Sequence, residues 1–188
     1  PIEALDQADQ EQRDALMERL VGLVLRELFE FGVMQTDPNF ANYRLTADGR
    51  LVLLDFGAAQ DVPPSVREGY RHLLAAALAR DVEALKRGAV SAGFLGPAAA
   101  ERHPEALDKM VGIVLDELHR DERFDFGDRA FLATLREEGL TIAADKASWH
   151  LPPAELLFVQ RKISGTALLA ARFKARVDVR GLVERRLA

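Results

Sequence analysis

Apolar residues at steps of three and four recur along most of this 188-residue chain. The first such segment follows Asp9 and Gln12, a capping-box pair, and reaches Gly32, where a helix is expected to end. Further helices are predicted to begin at Pro64 and after Asp81. The remaining helices are predicted in GPAAAERHPE through Leu118, FDFGDRAFLATLREEGL, LPPAELLFVQRKISGTALLAARFKARV and the basic segment from Val179. This periodicity restricts the chain to a mainly α fold.

One short region interrupts the helical pattern. Two apolar runs, Tyr43–Leu45 and Leu51–Leu54, flank the sequence TADG, whose Asp-Gly is typical of a tight turn. They predict one small β-hairpin, and we expect no other strands. Residues 33–42 have no apolar period and are rich in Asn and Pro, so they are predicted to form a loop. No repeat or low-complexity linker divides the chain, which predicts a single domain over residues 1–188.

The composition excludes several classes of site. The chain has no cysteine, which rules out disulfides and thiolate metal sites, and its four histidines are too far apart for a zinc-protease motif. Hydrophobic residues make up 48% of the chain, yet no apolar run approaches the roughly 20 residues of a membrane span. Because the net charge is −5, nucleic acid is not an expected partner. These features favour a cytoplasmic protein.

Basic residues are concentrated at the C-terminal end. Residues 156–188 contain eight Lys or Arg against Asp178 and Glu184. A solvated helical face is the leading interpretation of this basic run. The alternative is a surface that contacts lipid or a partner protein, in which case the protein is peripheral to a membrane.

Chemically active residue types lie on both sides of the predicted hairpin. Asn42 follows Asp37 by five positions, and Asp55, within Asp-Phe-Gly, follows Asn42 by thirteen. Phosphoryl transfer requires a carboxylate beside the attacking hydroxyl or water, and oxygen ligands that hold Mg²⁺ against the phosphates. Protein kinases use an Asp, an Asn and an Asp-Phe-Gly at these spacings. The conjunction of the three residues therefore indicates an ATP site or the relic of one.

Each of these residues also has a purely structural interpretation. Asp37 is able to start a turn, and Asn42 is able to bond loop backbone. Asp-Phe-Gly recurs at residues 125–127, within Phe-Asp-Phe-Gly at 124–127, without an upstream Asp-x4-Asn, and there we expect it to be structural, with Phe124 and Phe126 packed together. Only the combined spacing favours the functional interpretation.

The Asp37 region also departs from ordinary protein kinases. Gln35-Thr36 stands where His-Arg is usual, and Asn39 stands where Lys is usual. Three segments carry a resemblance to a known family, namely GVMQTDPNFANYRLTADGRLVLLDFGAAQDV, RDVEALKRGAVSAGFL and LPPAELLFVQRKISGTALLAARFKARVDV. Through these segments the chain resembles the UbiB family of atypical, protein-kinase-like proteins, which is connected with coenzyme Q biosynthesis. The mitochondrial branch of that family has a Thr-Asp-Pro-Asn-x-x-Asn loop, as here. The resemblance runs from about Phe31 onward and implies a protein-kinase-like C-terminal lobe.

The resemblance also implies a role for each site residue. Asp37 is expected to be the catalytic, hydroxyl-positioning residue, and Asn42 and Asp55 are expected to bind Mg²⁺ and through it ATP. Phe56 and Gly57 are expected to set the conformation of Asp55. The family's nucleotide-binding Lys, Ala-rich loop and Lys-x-Gly-Gln extension have no counterpart in this sequence. We therefore expect ATP to be held through an N-terminal lobe absent from this chain, and this lobe alone to be nearly inactive.

Three functions follow from these features. The first is a Mg-ATP-dependent atypical kinase or ATPase that supports quinone or isoprenoid-lipid metabolism, with quinone-biosynthesis proteins as partners. A small-molecule phosphotransferase of the aminoglycoside or choline kinase type is an alternative, since it also uses Asp-x4-Asn, although it usually reads His-Gly-Asp. The other alternative is a non-catalytic pseudokinase or helical module that binds lipid or a partner.

Overall fold

A computed structural model describes residues 2–37, 39–46, 48–120 and 123–188, and helices dominate this part of the chain. The α-helices are α1 (Gln10–Arg26), α2 (Pro64–Leu78), α3 (Val82–Ser91), α4 (Pro97–Arg102), α5 (Pro104–Leu118), α6 (Arg129–Ala144), α7 (Ala154–Arg172) and α8 (Val179–Leu187). Short 3₁₀ turns cover Ile2–Gln7, Phe40–Asn42 and Lys146–Ser148. The mainly α fold predicted from the apolar periodicity is confirmed.

The first helix, α1, begins with the predicted capping box. Asp9 accepts a hydrogen bond from the Gln12 backbone N–H at 2.8 Å, and the Gln12 side chain accepts one from the Asp9 N–H at 3.3 Å. Beyond Arg26 the helix widens into a π-helical turn, Glu27–Phe31, which the sequence pattern does not indicate. Gly32 ends this turn in the left-handed conformation, with φ of 67°, which glycine adopts without a Cβ clash.

Short strands form three antiparallel pairs in the described part of the chain. The strands are β1 (Val33–Gln35), β2 (Tyr43–Leu45), β3 (Leu51–Leu53), β4 (Ala59–Asp61), β5 (Phe124–Asp125) and β6 (Arg176–Val177). The pairing of β2 with β3 confirms the predicted hairpin. β1 also pairs with β4, and β5 with β6. The expectation of no other strands was therefore wrong, as was the expectation of a continuous loop over residues 33–42.

The helical segment that ends at Leu118 also differs from its prediction. It forms two helices, α4 and α5, because Pro104 has no backbone N–H to continue α4. His103 lies between them with φ of −129° and ψ of 48°, outside the helical region, as expected for a residue before proline. None of the helices in the described ranges is long and apolar enough to cross a membrane.

Among the described residues the hydrophobic core has two parts, and residues of α1 and α7 contribute to both. In the first part, Leu16 and Leu20 of α1 cluster with Leu169 of α7 and with Phe173, which directly follows that helix. The second part contains Val24, Leu28, Met34, Val62, Tyr70, Leu156 and Val159. Since early α1 meets late α7 and late α1 meets early α7, the two helices are antiparallel.

A buried ion pair lies where the two parts of the core meet. The Lys162 side chain on α7 is fully buried, and its Nζ is 3.5 Å from Oε2 of Glu27, a residue only 5% exposed. Burial raises the pKa of Glu27, and the nearby Lys162 charge opposes that rise. Each charge is therefore tolerated in the core because the other is present.

Removing one member of this pair is expected to destabilise the fold. Lys162→Met leaves the Glu27 carboxylate buried without a cation, at a cost of about 3–5 kcal/mol in the free energy of unfolding. Adding Glu27→Gln to that variant removes both charges and should recover most of the loss, as measured by urea unfolding of the three proteins. Equal losses in the single and double variants would contradict a charge-based origin.

Candidate functional site

Two nested strand pairs bring the predicted site residues together. Residues 36–42, here the Asp37 loop, connect β1 to β2, and residues 54–58, here the Asp55 segment, connect β3 to β4. Because β1 pairs with β4 outside the pairing of β2 with β3, the Asp37 loop and the Asp55 segment must run side by side.

Hydrogen bonds join these two segments at both ends. At one end, the Thr36 N–H and Oγ1 both donate to the Ala58 carbonyl, at 3.2 and 2.8 Å. At the other end, the Leu54 N–H donates to the Asn42 carbonyl at 3.0 Å. Asp37 and Asn42 thus lie on one segment and Asp55 on its immediate neighbour.

Asp37 is half-buried and is held chiefly by its own loop. Its Oδ2 accepts a hydrogen bond from the Asn42 side-chain amide at 2.8 Å, and its Oδ1 accepts one from the Asn39 N–H at 3.2 Å. The Arg161 guanidinium of α7 is 3.8 Å from the same Oδ1. The direct contact between Asp37 and Asn42 fixes the orientation of both side chains.

Asp55, Phe56 and Gly57 are exposed on the Asp55 segment. Oδ1 of Asp55 accepts a hydrogen bond from the Gly57 N–H at 2.7 Å, and a Cβ at Gly57 would lie only 3.1 Å from that oxygen. Phe56 is 62% exposed. Among the described residues, Asp55 forms no hydrogen bond with Asp37 or Asn42. The three side chains therefore lie on neighbouring segments, and Asp55 is not hydrogen-bonded to the other two.

The second Asp-Phe-Gly forms the same local turn in a different setting. Oδ1 of Asp125 accepts a hydrogen bond from the Gly127 N–H at 2.8 Å. However, the other carboxylate oxygen of Asp125 is 3.5 Å from Arg176, and the rings of Phe124 and Phe126 pack at 4.7 Å. The packing of these two rings, predicted for a structural motif, is confirmed. Both Asp-Phe-Gly tripeptides therefore form the same turn, and Asp55 differs from Asp125 in the residues that surround it.

The donor set of the site is chemically suited to a hard divalent cation. The side-chain nitrogen of Asn42 donates a hydrogen bond to Asp37, and the amide oxygen accepts no hydrogen bond from the described residues. The same holds for Oδ2 of Asp55, and amide and carboxylate oxygens are the ligands that Mg²⁺ prefers. The described ranges contain no group of three or more His, Cys, Asp or Glu that could hold a metal. A magnesium ion here would therefore need further oxygens, such as those of nucleotide phosphates.

Sequence reasoning missed a buried polar group behind the Asp37 loop. Nζ of Lys162 donates to Gln35 Oε1 at 3.2 Å and to the Tyr43 hydroxyl at 3.0 Å. Lys162 belongs to the basic run assigned to a solvated face, and for this residue that interpretation was wrong. The signal that identifies it is its position among the buried apolar residues of α7, three after Val159 and seven before Leu169.

The arginines of the basic run behave differently from Lys162. Arg161 lies beside Asp37, and the other five form surface ion pairs, which are Arg172–Asp6, Arg176–Asp125, Arg180–Glu184, Arg185–Asp178 and Arg186–Glu30. Such pairs lie in solvent and contribute little to stability. For these residues the contacts favour a solvated helical face.

Comparison with known proteins found a family model, curated relatives and a solved structure that resemble this chain. Residues 1–89 match the ABC1 atypical kinase-like domain. The Danio rerio protein named Atypical kinase COQ8B, mitochondrial is 31% identical over 183 residues, which cover 97% of this chain and 29% of that protein. The Saccharomyces cerevisiae protein named Atypical kinase COQ8, mitochondrial is 33% identical over 181 residues, covering 94% and 35%. The chain thus spans about a third of the length of these relatives.

A solved structure has a similar fold. "The complex structure of Rv3197-erythromycin from Mycobacterium tuberculosis" superposes with a TM-score of 0.74 at 22% identity, over 97% of this chain and 45% of that one. The domain match, the relatives along nearly the whole chain and the adjacent placement of Asp37, Asn42 and Asp55 lead to one assignment. The chain belongs to the UbiB family of atypical, protein-kinase-like proteins.

Proposed function

We propose that residues 1–188 form the C-terminal lobe of an atypical kinase or ATPase that transfers a phosphoryl group from Mg-ATP to a hydroxyl or to water. The observation that carries this proposal is the nested strand pairing, which sets the Asp37 loop beside the Asp55 segment. That arrangement supplies one carboxylate for the attacking group and two oxygen ligands for a metal, which is the set that phosphoryl transfer requires.

Asp37 has the geometry of a residue that orients a nucleophile. Its two oxygens each accept a loop hydrogen bond, from Asn42 and Asn39, and a carboxylate has about four lone-pair positions in all. Lone pairs therefore remain to accept the proton of an attacking hydroxyl or water. Because the Asn42 amide fixes Oδ2, the carboxylate presents those lone pairs in a constant direction.

Asn42 and Asp55 are the residues that would hold Mg²⁺. When bound there, the ion would neutralise charge on the transferring phosphates. Gly57 contributes by keeping one Asp55 oxygen in its turn, and Phe56 sits between them as an exposed side chain able to pack on a neighbouring lobe.

The remaining nucleotide contacts are assigned to a separate N-terminal lobe. This sequence has no counterpart of the phosphate-binding Lys or of the loop that covers the phosphates in protein kinases. We infer that the full-length protein holds ATP between such a lobe and the site formed by Asp37, Asn42 and Asp55.

The biological setting follows by analogy with the relatives. Their names include atypical kinases designated COQ8 and COQ8B, which favours a role in coenzyme Q or related isoprenoid-lipid metabolism, with proteins of that metabolism as partners. The same names favour this role over an aminoglycoside- or choline-kinase-type phosphotransferase. The cytoplasmic location expected from the sequence stays a prediction, since those relatives are named as mitochondrial.

The metal role of Asp55 is tested by Asp55→Asn in the full-length protein. Asparagine still accepts the Gly57 N–H, so the turn is retained while the charge is lost. ATP turnover, measured by phosphate release at saturating Mg²⁺, should fall by at least about 100-fold.

The matched control is Asp125→Asn, which makes the same change in the same tripeptide turn away from the site. Its ATP turnover should stay within about twofold of the wild type, since it loses only an exposed ion pair. Unchanged turnover in Asp55→Asn would eliminate the metal role.

The proposed division into lobes predicts weak nucleotide binding by the 188-residue chain alone. Without the Lys and loop that grip the phosphates, its affinity for Mg-ATP should be at least about 100-fold below that of the full-length protein. Isothermal titration calorimetry on both proteins measures the difference. Equal affinities would show that this chain already contains the whole nucleotide site.

A further inference from the structure

The Lys162 ammonium contacts both ends of the Asp37 loop. Gln35, whose Oε1 accepts from Nζ at 3.2 Å, stands two residues before Asp37. Tyr43, whose hydroxyl accepts from Nζ at 3.0 Å, directly follows Asn42. Both contact residues are 2% exposed, so water does not compete for these bonds.

No strand ladder joins these two ends among the described residues. Gln35 lies on β1, which pairs with β4, and Tyr43 lies on β2, which pairs with β3. The two strands enter and leave the same loop but belong to separate two-stranded sheets. The bridge from Gln35 through Lys162 to Tyr43 is therefore a direct link across the base of the loop.

Glu27 is the third residue in contact with the Lys162 ammonium. Its Oε2 lies 3.5 Å from Nζ of Lys162, and its Oε1 accepts the Gln35 backbone N–H at 3.3 Å. The carboxylate thus balances the buried ammonium and also holds the last residue of β1. The backbone and the side chain of Gln35 are fixed by opposite charges of one ion pair.

A lysine at position 162 would be unfavourable if its side chain only filled space in the core. Its buried neighbours along α7 include Leu156, Val159 and Leu169, and an apolar side chain would avoid the desolvation of an ammonium. A buried ionic group in such surroundings is better explained by a requirement for one fixed geometry.

We propose that Lys162 is a positioning residue that holds the two ends of the Asp37 loop at a fixed separation and so sets Asp37 against Asn42. The catalytic consequence rests on the proposed function, in which Asp37 orients the nucleophile and Asn42 binds the metal. Lys162 acts through Gln35 and Tyr43 and does not itself contact the nucleotide.

The inference is tested in the full-length protein with Lys162→Met combined with Glu27→Gln. This double variant removes both buried charges, so loss of stability is separated from loss of positioning. We expect kcat for ATP turnover, per folded molecule, to fall about 10- to 100-fold, while KM for ATP stays within about threefold. A residue that only stabilises the fold would lower the amount of folded enzyme and leave kcat per folded molecule unchanged.

A second variant, Tyr43→Phe, removes one of the two loop contacts and keeps the ion pair and the aromatic ring. We expect a smaller fall in kcat, about threefold to tenfold, again with little change in KM. Lys86→Met is the matched control, because it removes a lysine that is paired with Glu83 and Asp108 far from the loop in sequence and outside the core clusters. Its kcat should equal that of the wild type.

A measurement on the 188-residue chain separates this inference from the proposed function. Amide hydrogen exchange at the Asn42 and Leu54 N–H groups reports the loop without any need for activity, and it should accelerate about tenfold or more in the double variant but not in Lys86→Met. Wild-type full-length protein without ATP turnover would overturn the proposed function and leave the exchange result to decide the positioning role. Unchanged exchange and unchanged kcat in both the double variant and Tyr43→Phe would overturn the positioning role.

Discussion

The buried pair of Lys162 and Glu27 is the interaction on which both the fold and the site depend. It lies between the two parts of the core, with Lys162 on the packed face of α7 and Glu27 in the π-helical turn that follows α1. Its polar atoms are directed at Gln35 and Tyr43, the residues at the two ends of the Asp37 loop. Packing between two antiparallel helices is thereby coupled to the geometry of a loop on the surface.

This coupling matters because the strands that carry the site are too short to be stable by themselves. Each strand of the two nested pairs has three residues, and isolated two-stranded ribbons are at best marginal in water. Met34 and Tyr43, one from each pair, are buried in different parts of the core, so the helices fix the strands from behind. The Asp37 loop and the Asp55 segment are therefore held in place by the packing of the helices behind them rather than by their own local sequence.

The same dependence explains what the sequence could reveal. Capping residues such as Asp9, breakers such as Gly32 and apolar periodicity are local signals, and they predicted the helices and the hairpin. The pairing of β1 with β4 joins three-residue segments separated by more than twenty positions, too short to show alternation, so no local pattern predicts it. Lys162 was missed because one buried cation in a basic run resembles its exposed neighbours until the packed face of α7 is known.

The two Asp-Phe-Gly tripeptides show where specificity for a site arises in this chain. Both form the same hydrogen bond from glycine to aspartate, so the tripeptide determines the turn. In the second, strand pairing places Arg176 opposite Asp125, and the Arg176 side chain lies 3.5 Å from the Asp125 carboxylate. In the first, the nested pairs place Asp55 beside Asn42 and leave one of its oxygens without a described partner. Topology therefore decides what lies across from an identical turn, and this difference is the basis for proposing a metal role for Asp55 and not for Asp125.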